Sequence, residues 1–237
     1  MKTLIYPASD RGHVDFGWLD SHHSFSFGNW HHPEKVHFGA LRVLNDDIVK
    51  GGKGFDAHPH ENMEIISIPL KGALAHKDSI GAEGIIYSGD VQIMSAGSGI
   101  RHSEYNASHY DPVNFLQIWV FPKQLNIKPR HDQKTFDPAG RKGKWQVVVS
   151  PDPADGGVWI NQDARLALTK LDAGASISFS PAIAGNGVYL FVLEGKVTID
   201  GKTLERRDGM GISETDSVTI TADANAEILA IEVPMFA

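Results

Sequence analysis

Short apolar runs separated by glycine- and proline-containing turns extend along the chain, and this pattern restricts its fold most. The 237 residues include 24 Gly and 12 Pro, and no window of about a dozen residues carries the apolar stripe of an amphipathic helix. Short apolar runs bounded by turn residues are typical of β-strands. We expect eleven strands, at residues 39–45, 64–70, 73–76, 84–87, 91–94, 115–121, 145–149, 188–193, 196–200, 217–221 and 227–233. The chain is therefore predicted to be all-β, with its strands in sandwiches or barrels.

Two parts of the chain share a strand–turn–strand pattern that indicates an internal duplication. Residues 65–72 align with residues 188–195, because each is an apolar run that enters a Gly-containing turn and precedes a second strand. Another turn with Gly and Asp follows in each case, at residues 88–90 and 207–209. A repeat of this kind predicts two related β-barrels in tandem.

The predicted domain boundaries are 1–125 for the N-terminal barrel, 126–144 for a linker and 145–237 for the C-terminal barrel. The stretch 122–144 around the linker holds three prolines and seven of the 22 Lys and Arg residues. Such a composition is typical of a solvated linker. A surface for an anionic partner is the alternative interpretation of these charges.

The chain has 12 His and no Cys, which excludes thiolate metal sites and cysteine nucleophiles but permits sites of histidine and carboxylate. Residues i and i+2 of an extended strand point to the same face. His58 and His60 would share one face, and so would His102 and Glu104. Neighbouring antiparallel strands could join the two pairs into a site with three histidines and one carboxylate. Glu64 has the same parity as His58 and His60 and could also join that face.

Three sequence segments are distinctive: GWLDSHHSFSF at 17–27, His-Pro-His at 58–60 and SAGSGIRHSE at 95–104. Together they resemble the pirin family, a branch of the cupin superfamily. The similarity extends over roughly residues 10–235. It implies a bicupin, an all-β protein of two cupin-type β-barrels in tandem, with one metal centre in the N-terminal barrel.

The resemblance implies one divalent transition metal ion held by His58, His60, His102 and Glu104. We expect iron, with nickel, cobalt, copper, manganese and zinc as alternatives, because imidazole and carboxylate ligands suit all of these ions. Glu64 stands where cupins usually carry their glutamate, whereas in pirin-like proteins the ligand lies two residues after the last histidine. Glu64 is therefore expected to support the site by hydrogen bonding or to lie at the edge of the core.

The C-terminal repeat is not expected to hold this metal. No histidine occurs beyond His131. Alignment of the two repeats places residues that cannot bind a metal opposite the four candidate ligands: Pro181, Ile183, Ala222 and Ala224. We expect the second barrel to have a structural role, closing one side of the cleft and burying apolar area.

The resemblance also implies the activity of a quercetin 2,3-dioxygenase, in which O₂ opens the heterocycle of a small aromatic, flavonol-like substrate. Glu104 would be the catalytic residue, taking the proton of the substrate hydroxyl beside the metal. A non-catalytic, redox-responsive interaction protein with a protein partner is the alternative, because pirin-like proteins are also implicated in regulation. A third option is a cupin isomerase or epimerase with a histidine as the base. The use of all four residues as metal ligands argues against it.

Several other polar residues have open roles. His76 could orient a ligand or simply end a strand, and Gln117, a polar residue in an apolar run, is a candidate to face the cavity. His22 and His23 are expected to cap polar groups in an aromatic-rich strand, with a place at the mouth of the site as the alternative. His131 is expected to be solvated.

The formal net charge of −7 and the pI near 5.9 oppose the phosphate attraction on which nucleic-acid binding depends. The first residues lack a signal-peptide pattern, and no apolar run is long enough for a membrane helix. We therefore expect a cytoplasmic monomer that binds neither nucleic acid nor a membrane.

Overall fold

The computed structural model describes residues 1–236, which form β-strands joined by tight turns. The first half contains β1 (Lys2–Tyr6), β2 (Gly12–Asp15), β3 (Leu19–His23), β4 (Leu41–Val49), β5 (Gly54–His60), β6 (Glu64–Lys71), β7 (Ala73–Asp78), β8 (Glu83–Tyr87), β9 (Asp90–Ser95), β10 (Ile100–Asn106), β11 (Val113–Val120) and β12 (Arg130–Thr135). The second half contains β13 (Gln146–Ser150), β14 (Val158–Trp159), β15 (Arg165–Leu171), β16 (Ser176–Phe179), β17 (Asn186–Glu194), β18 (Lys196–Ile199), β19 (Lys202–Glu205), β20 (Gly209–Ser213), β21 (Val218–Ala222) and β22 (Ala226–Pro234). The helical elements within residues 1–236 are three short 3-10 turns: Ala8–Asp10, Pro138–Arg141 and Pro153–Asp155. No helix in this part of the chain could cross a membrane.

Each of the eleven predicted runs overlaps an observed strand, which confirms the all-β prediction. Eleven further strands were not in the predicted set, β5 and β10 among them. The buried positions of β10 include His102 and Glu104, and the side chains of β5 are only partly buried. Because these strands lack an apolar face, a pattern based on hydrophobicity does not detect them.

Each half consists of a seven-stranded sheet packed against a four-stranded one. The strand orders are β12-β9-β6-β11-β4-β3-β2 with β5-β10-β7-β8 in the N-terminal half, and β1-β20-β17-β22-β15-β13-β14 with β16-β21-β18-β19 in the C-terminal half. Over residues 1–236 each sheet ends in edge strands and none closes on itself. Each half is therefore a cupin-type β-sandwich, which confirms the predicted all-β bicupin and decides between the sandwich and barrel alternatives.

Apolar side chains fill two of the three spaces between the four sheets. Leu116 and Ile118 meet Tyr189 and Leu229 between the two seven-stranded sheets, which joins the halves. A second apolar cluster fills the space between the two sheets of the C-terminal half. Between the sheets of the N-terminal half the cluster around Phe115 is smaller, and a cavity lies beside it. A cavity therefore lies between the two sheets of the N-terminal half.

Part of the predicted linker is a strand. Arg130 begins β12, which pairs with β9 of the N-terminal sheet. Its guanidinium donates to the carbonyl oxygen of Trp159 at 2.9 Å and lies 4.8 Å from the centre of the Trp159 ring. This stretch is packed between the halves rather than solvated throughout. Conversely, β1 pairs with β20 and completes the C-terminal sheet. The domain boundaries given above stay a prediction.

A buried ion pair joins the two halves. Arg207, between β19 and β20, is 3% exposed, and its Nε donates to Asp46 Oδ2 on β4 at 2.7 Å. Its Nη1 donates to the carbonyl oxygen of Leu193. Asp46 also accepts from Asn114 Nδ2 at 2.8 Å and lies 3.5 Å from Arg11 Nη1. Burial alone would raise the pKa of Asp46, but Arg207, Asn114 and Arg11 outweigh it and hold this pKa below its ordinary value.

Replacement of Asp46 by alanine is expected to lower the free energy of unfolding by about 3–5 kcal/mol, because Arg207 would stay buried without its buried counter-ion. The exposed Glu194 carboxylate, 3.7 Å from Arg207 Nη1, is a weaker partner. Urea unfolding at neutral pH measures this loss. Since folding lowers the pKa of Asp46, its contribution is complete above about pH 4 and is lost as the pH falls through the lowered pKa. The double variant Asp46→Leu/Arg207→Met should lose less stability than the sum of the two single variants. A loss for Asp46→Ala that does not depend on pH would contradict the assignment.

Candidate metal centre

The antiparallel pairing of β5 with β10 brings the two predicted ligand pairs together. His102 lies directly opposite His58, and the i, i+2 spacing places His60 on the same face as His58. The register shifts between His102 and Glu104, and such a bulge re-aims the side chain that follows it. On its other side β10 pairs with β7, where Glu104 lies opposite His76.

Three histidine side chains converge at this pairing. One ring nitrogen from each of His58, His60 and His102 lies within 4.8 Å of the other two, and the ring centroids are 4.5–4.9 Å apart. A second group within the same limit consists of His76, His102 and Glu104. His102 belongs to both groups and so connects the three histidines to the carboxylate.

The imidazole of His102 is buried without a hydrogen-bond partner. It is 2% exposed, and neither of its ring nitrogens has a partner, although buried polar groups are nearly always paired. Burial, with the charges of His58 and His60 and then His76, lowers the pKa of His102 to about 2. Burial and then His58 lower the pKa of His60 to about 4. His102 and His60 are therefore neutral at pH 7, which is the form that binds metals.

The orientation of His58 also suits a metal ligand. Its Nδ1 lies 2.7 Å from the carbonyl oxygen of Asp56, so Nδ1 donates and the lone pair of Nε2 is left for another bond. A hydrogen bond of this kind commonly fixes the tautomer and the ring orientation of a metal-binding histidine. The donor set of three imidazoles and one carboxylate fits a divalent transition metal ion.

Glu104 is held by two residues of the facing sheet. Its Oε1 accepts from Ser67 Oγ at 3.0 Å and its Oε2 accepts from Gln117 Nε2 at 2.8 Å. Glu104 is 2% exposed, and burial raises its pKa to about 7 against the opposing effect of these two hydrogen bonds. Gln117 faces the cavity, and its contact with Glu104 gives it a positioning role that the sequence had left open.

Glu64 lies away from the histidine cluster. Asn62, in the turn between β5 and β6, has a φ of 48°, and this turn ends the alternation that would have placed Glu64 beside His58 and His60. Glu64 accepts from Ser95 Oγ at 2.8 Å and from the backbone N–H of Asn161 at 3.2 Å. Because Asn161 belongs to the C-terminal half, Glu64 is a buried link between the halves.

His76 lies beside the centre on β7. It is 2% exposed, its Nε2 lies 3.3 Å from Asp78 Oδ2, and its ring centroid is 5.3 Å from that of His102. His131 stacks on the ring of His76 at 5.1 Å. The expectation that His131 is solvated was wrong, because β12 carries it against β7.

The neighbours His22 and His23 lie on opposite faces of β3. His22 is on the outer face, where it stacks on His13 at 4.4 Å and lies 3.4 Å from Asp20 Oδ1. Ligand atoms of His13, Asp20 and His22 lie within 4.8 Å of one another. His23 is on the inner face and lines the cavity beside the candidate ligands.

The cavity next to the histidines has a volume of about 410 Å³. His58, His60 and Glu104 form part of its wall. Its other lining residues are mostly apolar or aromatic: Val14, Phe16, Leu19, Phe27, Phe55 and Trp119. Sequence reasoning missed a group of polar lining residues, namely Ser21, Asn45 and Asp47. The polar run at 45–47, which continues an apolar strand, is the signal that could have indicated them.

Comparisons with known proteins agree with this arrangement. The family described as Pirin matches residues 7–120, and the family described as Quercetinase C-terminal cupin domain matches residues 147–233. The chain is 42% identical to the quercetin 2,3-dioxygenase of Escherichia coli (strain K12), covering 98% of this chain and 99% of that protein. It is 40% identical to a pirin-like protein of Caulobacter vibrioides, covering 95% of this chain and 97% of that protein.

Solved structures show the same architecture. The crystal structure of YhhW from Escherichia coli has a TM-score of 0.94 at 40% identity and covers 99% of both chains. The nickel(II) complex of this bacterial pirin has a TM-score of 0.93 at 39% identity, covering 99% of this chain and 100% of that chain. With full-length relatives at this identity, the chain belongs to the pirin family of bicupin proteins.

Proposed function

We propose that this protein is a metal-dependent dioxygenase that opens the heterocycle of flavonol-like substrates with O₂. The observation that carries the proposal is the position of His58, His60 and Glu104 in the wall of a mainly apolar cavity of about 410 Å³. Sites for small aromatic ligands typically have about 300–1,000 Å³ and a few convergent polar groups. The 42% identity to a quercetin 2,3-dioxygenase over 98% of the chain supports the same class of substrate.

In this proposal His58, His60, His102 and Glu104 hold one divalent metal ion. The bound ion would supply Lewis-acid stabilisation of the substrate oxygens and a template for the two reactants. We propose iron, and the nickel(II) complex of the Escherichia coli pirin makes nickel the first alternative. Imidazole and carboxylate ligands accept both ions, so metal availability decides between them as much as affinity does.

The cavity walls would orient the substrate, and Glu104 would receive its proton. Trp119 and Phe27 meet edge to face with their ring centroids 5.3 Å apart, which offers a planar aromatic molecule a rigid apolar surface. A carboxylate oxygen of Glu104 would take the proton of the bound hydroxyl. Because Ser67 and Gln117 hold both oxygens of Glu104, this base has a fixed position before the substrate arrives.

We also propose that the protein is a cytoplasmic monomer without direct contacts to nucleic acid or membranes. The apolar contact between the two seven-stranded sheets is made within one chain, which supports the monomer. The net charge of −7 supports the exclusion of nucleic acid. A metal-dependent contact with a protein partner stays the alternative role for the same centre.

Replacement of His102 by alanine is expected to lower the metal content of the purified protein at least about ten-fold, because it removes the histidine shared by both ligand groups. Elemental analysis measures the metal, and O₂ consumption with quercetin measures the activity, which should disappear with the ion. His31→Ala is the matched control, since His31 is exposed and lies outside the cavity. Full metal occupancy in His102→Ala would contradict the ligand assignment.

Replacement of Glu104 by glutamine is expected to lower kcat about 100- to 10,000-fold, with a smaller change in KM, because the variant keeps the side-chain size but loses the proton acceptor. Steady-state O₂ consumption with quercetin measures both constants at matched metal content. Glu83→Gln, at an exposed glutamate outside the cavity, should leave kcat unchanged. An unchanged kcat in metal-loaded Glu104→Gln would rule out Glu104 as the base.

A further inference from the structure

A row of polar side chains crosses the inner face of the seven-stranded N-terminal sheet. Strand register places Ser67 opposite Gln117 and Gln117 opposite Asn45. The same row continues to β3, where His23 lies opposite Asn45. Ser67 and Gln117 hold the two oxygens of Glu104. Asn45 and His23 line the same cavity, but they lie at the end of the row that is remote from this carboxylate.

The hydrogen bonds around His23 determine which of its nitrogens carries the proton. Ser21 donates its hydroxyl proton to Asp47 Oδ1. Where Asp47 is ionised, the oxygen of Ser21 accepts from His23, whose Nε2 lies 2.8 Å away. Burial raises the pKa of Asp47 to about 7, so this arrangement is favoured as the pH rises above 7. Nε2 is then the protonated nitrogen, and Nδ1 has a lone pair that can only accept. Burial, with the nearby His22 and other cations, lowers the pKa of His23 to about 4, so the ring is neutral at pH 7.

The lone pair of His23 Nδ1 has no donor. His23 is 4% exposed, and its Nδ1 has no hydrogen-bond partner. Asn45 is 2% exposed, and its Oδ1 has no partner either. Directly opposed residues of antiparallel strands lie about 5 Å apart. Two unpaired acceptors are therefore neighbours on the cavity wall, and leaving both unpaired is unfavourable.

We infer that Asn45 and His23 form a specificity subsite that accepts hydrogen bonds from phenolic hydroxyl groups of the substrate, at the end remote from the metal. The inference rests on the proposed function and narrows its substrate class to polyhydroxylated flavonols. A carbonyl or ether oxygen has no proton to donate and cannot satisfy either acceptor. The apolar wall around Phe16 and Phe27 offers no hydrogen-bonding group and would not discriminate between flavonols that differ in their hydroxyl groups.

The test compares two flavonols that share the oxygens beside the metal. Quercetin carries phenolic hydroxyl groups in addition to the shared 3-hydroxyl, whereas 3-hydroxyflavone lacks these additional groups. Isothermal titration calorimetry on nickel-loaded protein without O₂ should show that quercetin binds about 10- to 100-fold more tightly. Asn45→Leu and His23→Leu should lose most of this preference, while the affinity for 3-hydroxyflavone changes less than about two-fold.

Matched variants separate the subsite from general damage. His22→Leu alters the neighbouring residue on the outer face of β3 and should leave both affinities unchanged. Asn45→Thr keeps an acceptor oxygen and should retain more of the preference than Asn45→Leu. Elemental analysis and thermal unfolding verify the metal and the fold of each variant.

The outcomes distinguish this inference from the proposed function. Equal affinity of the unaltered protein for the two flavonols would overturn the subsite and leave the dioxygenase standing. Equal weakening of both flavonols by Asn45→Leu and His23→Leu would do the same. If the unaltered protein binds neither flavonol, the proposed substrate class fails and the subsite fails with it.

Discussion

The pairing of β5 with β10 is the constraint on which the candidate centre depends. Antiparallel register places His102 opposite His58, and the pairing of β10 with β7 on its other side buries His102. Burial and the neighbouring imidazoles lower the pKa values of His102 and His60, so these two rings stay neutral and keep the lone pairs that a metal ion needs. Ser67 and Gln117 fix Glu104 from the facing sheet. The pairings of β10 with β5 and β7, together with the facing sheet, thus bring the candidate ligands together.

The two halves share an architecture but use their interior differently. In the C-terminal half apolar side chains fill the space between the sheets, and the paired strands β16 and β21 carry no His, Asp or Glu. In the N-terminal half, the space between the two sheets also contains the cavity and buried polar groups. The shared apolar layer and the Asp46–Arg207 pair join this half to the C-terminal half.

Much of the fold could be predicted from the chain alone, because apolar runs and turn residues are local signals. The strands without an apolar face, such as β5 and β10, were missed as regular elements although their histidines drew attention. The linker prediction did not anticipate β12, whose side chains are mostly polar and whose pairing with β9 is a long-range contact. The even residue spacing that could have placed Glu64 on the same face as His58 and His60 does not do so, because the turn at Asn62 interrupts the strand. Only the pairing of β12 depends on a contact distant in sequence, whereas the other outcomes follow from local features that the hydrophobic pattern does not record.

The sequence by itself determined the all-β class and predicted the two-part organisation, since strand patterns are written in neighbouring residues. Spacing predicted that His58, His60 and His102 converge, and the choice of Glu104 over Glu64 rested on the resemblance to the pirin family. Only the tertiary structure decided that Glu64 links the halves and that Gln117 and Ser67 hold Glu104. It also decided that Asn45 and His23 leave unpaired acceptors in the cavity. The physical reason is that hydrogen-bond satisfaction depends on which strands lie side by side and which faces are closed to water. Those relations arise when the sheets pack.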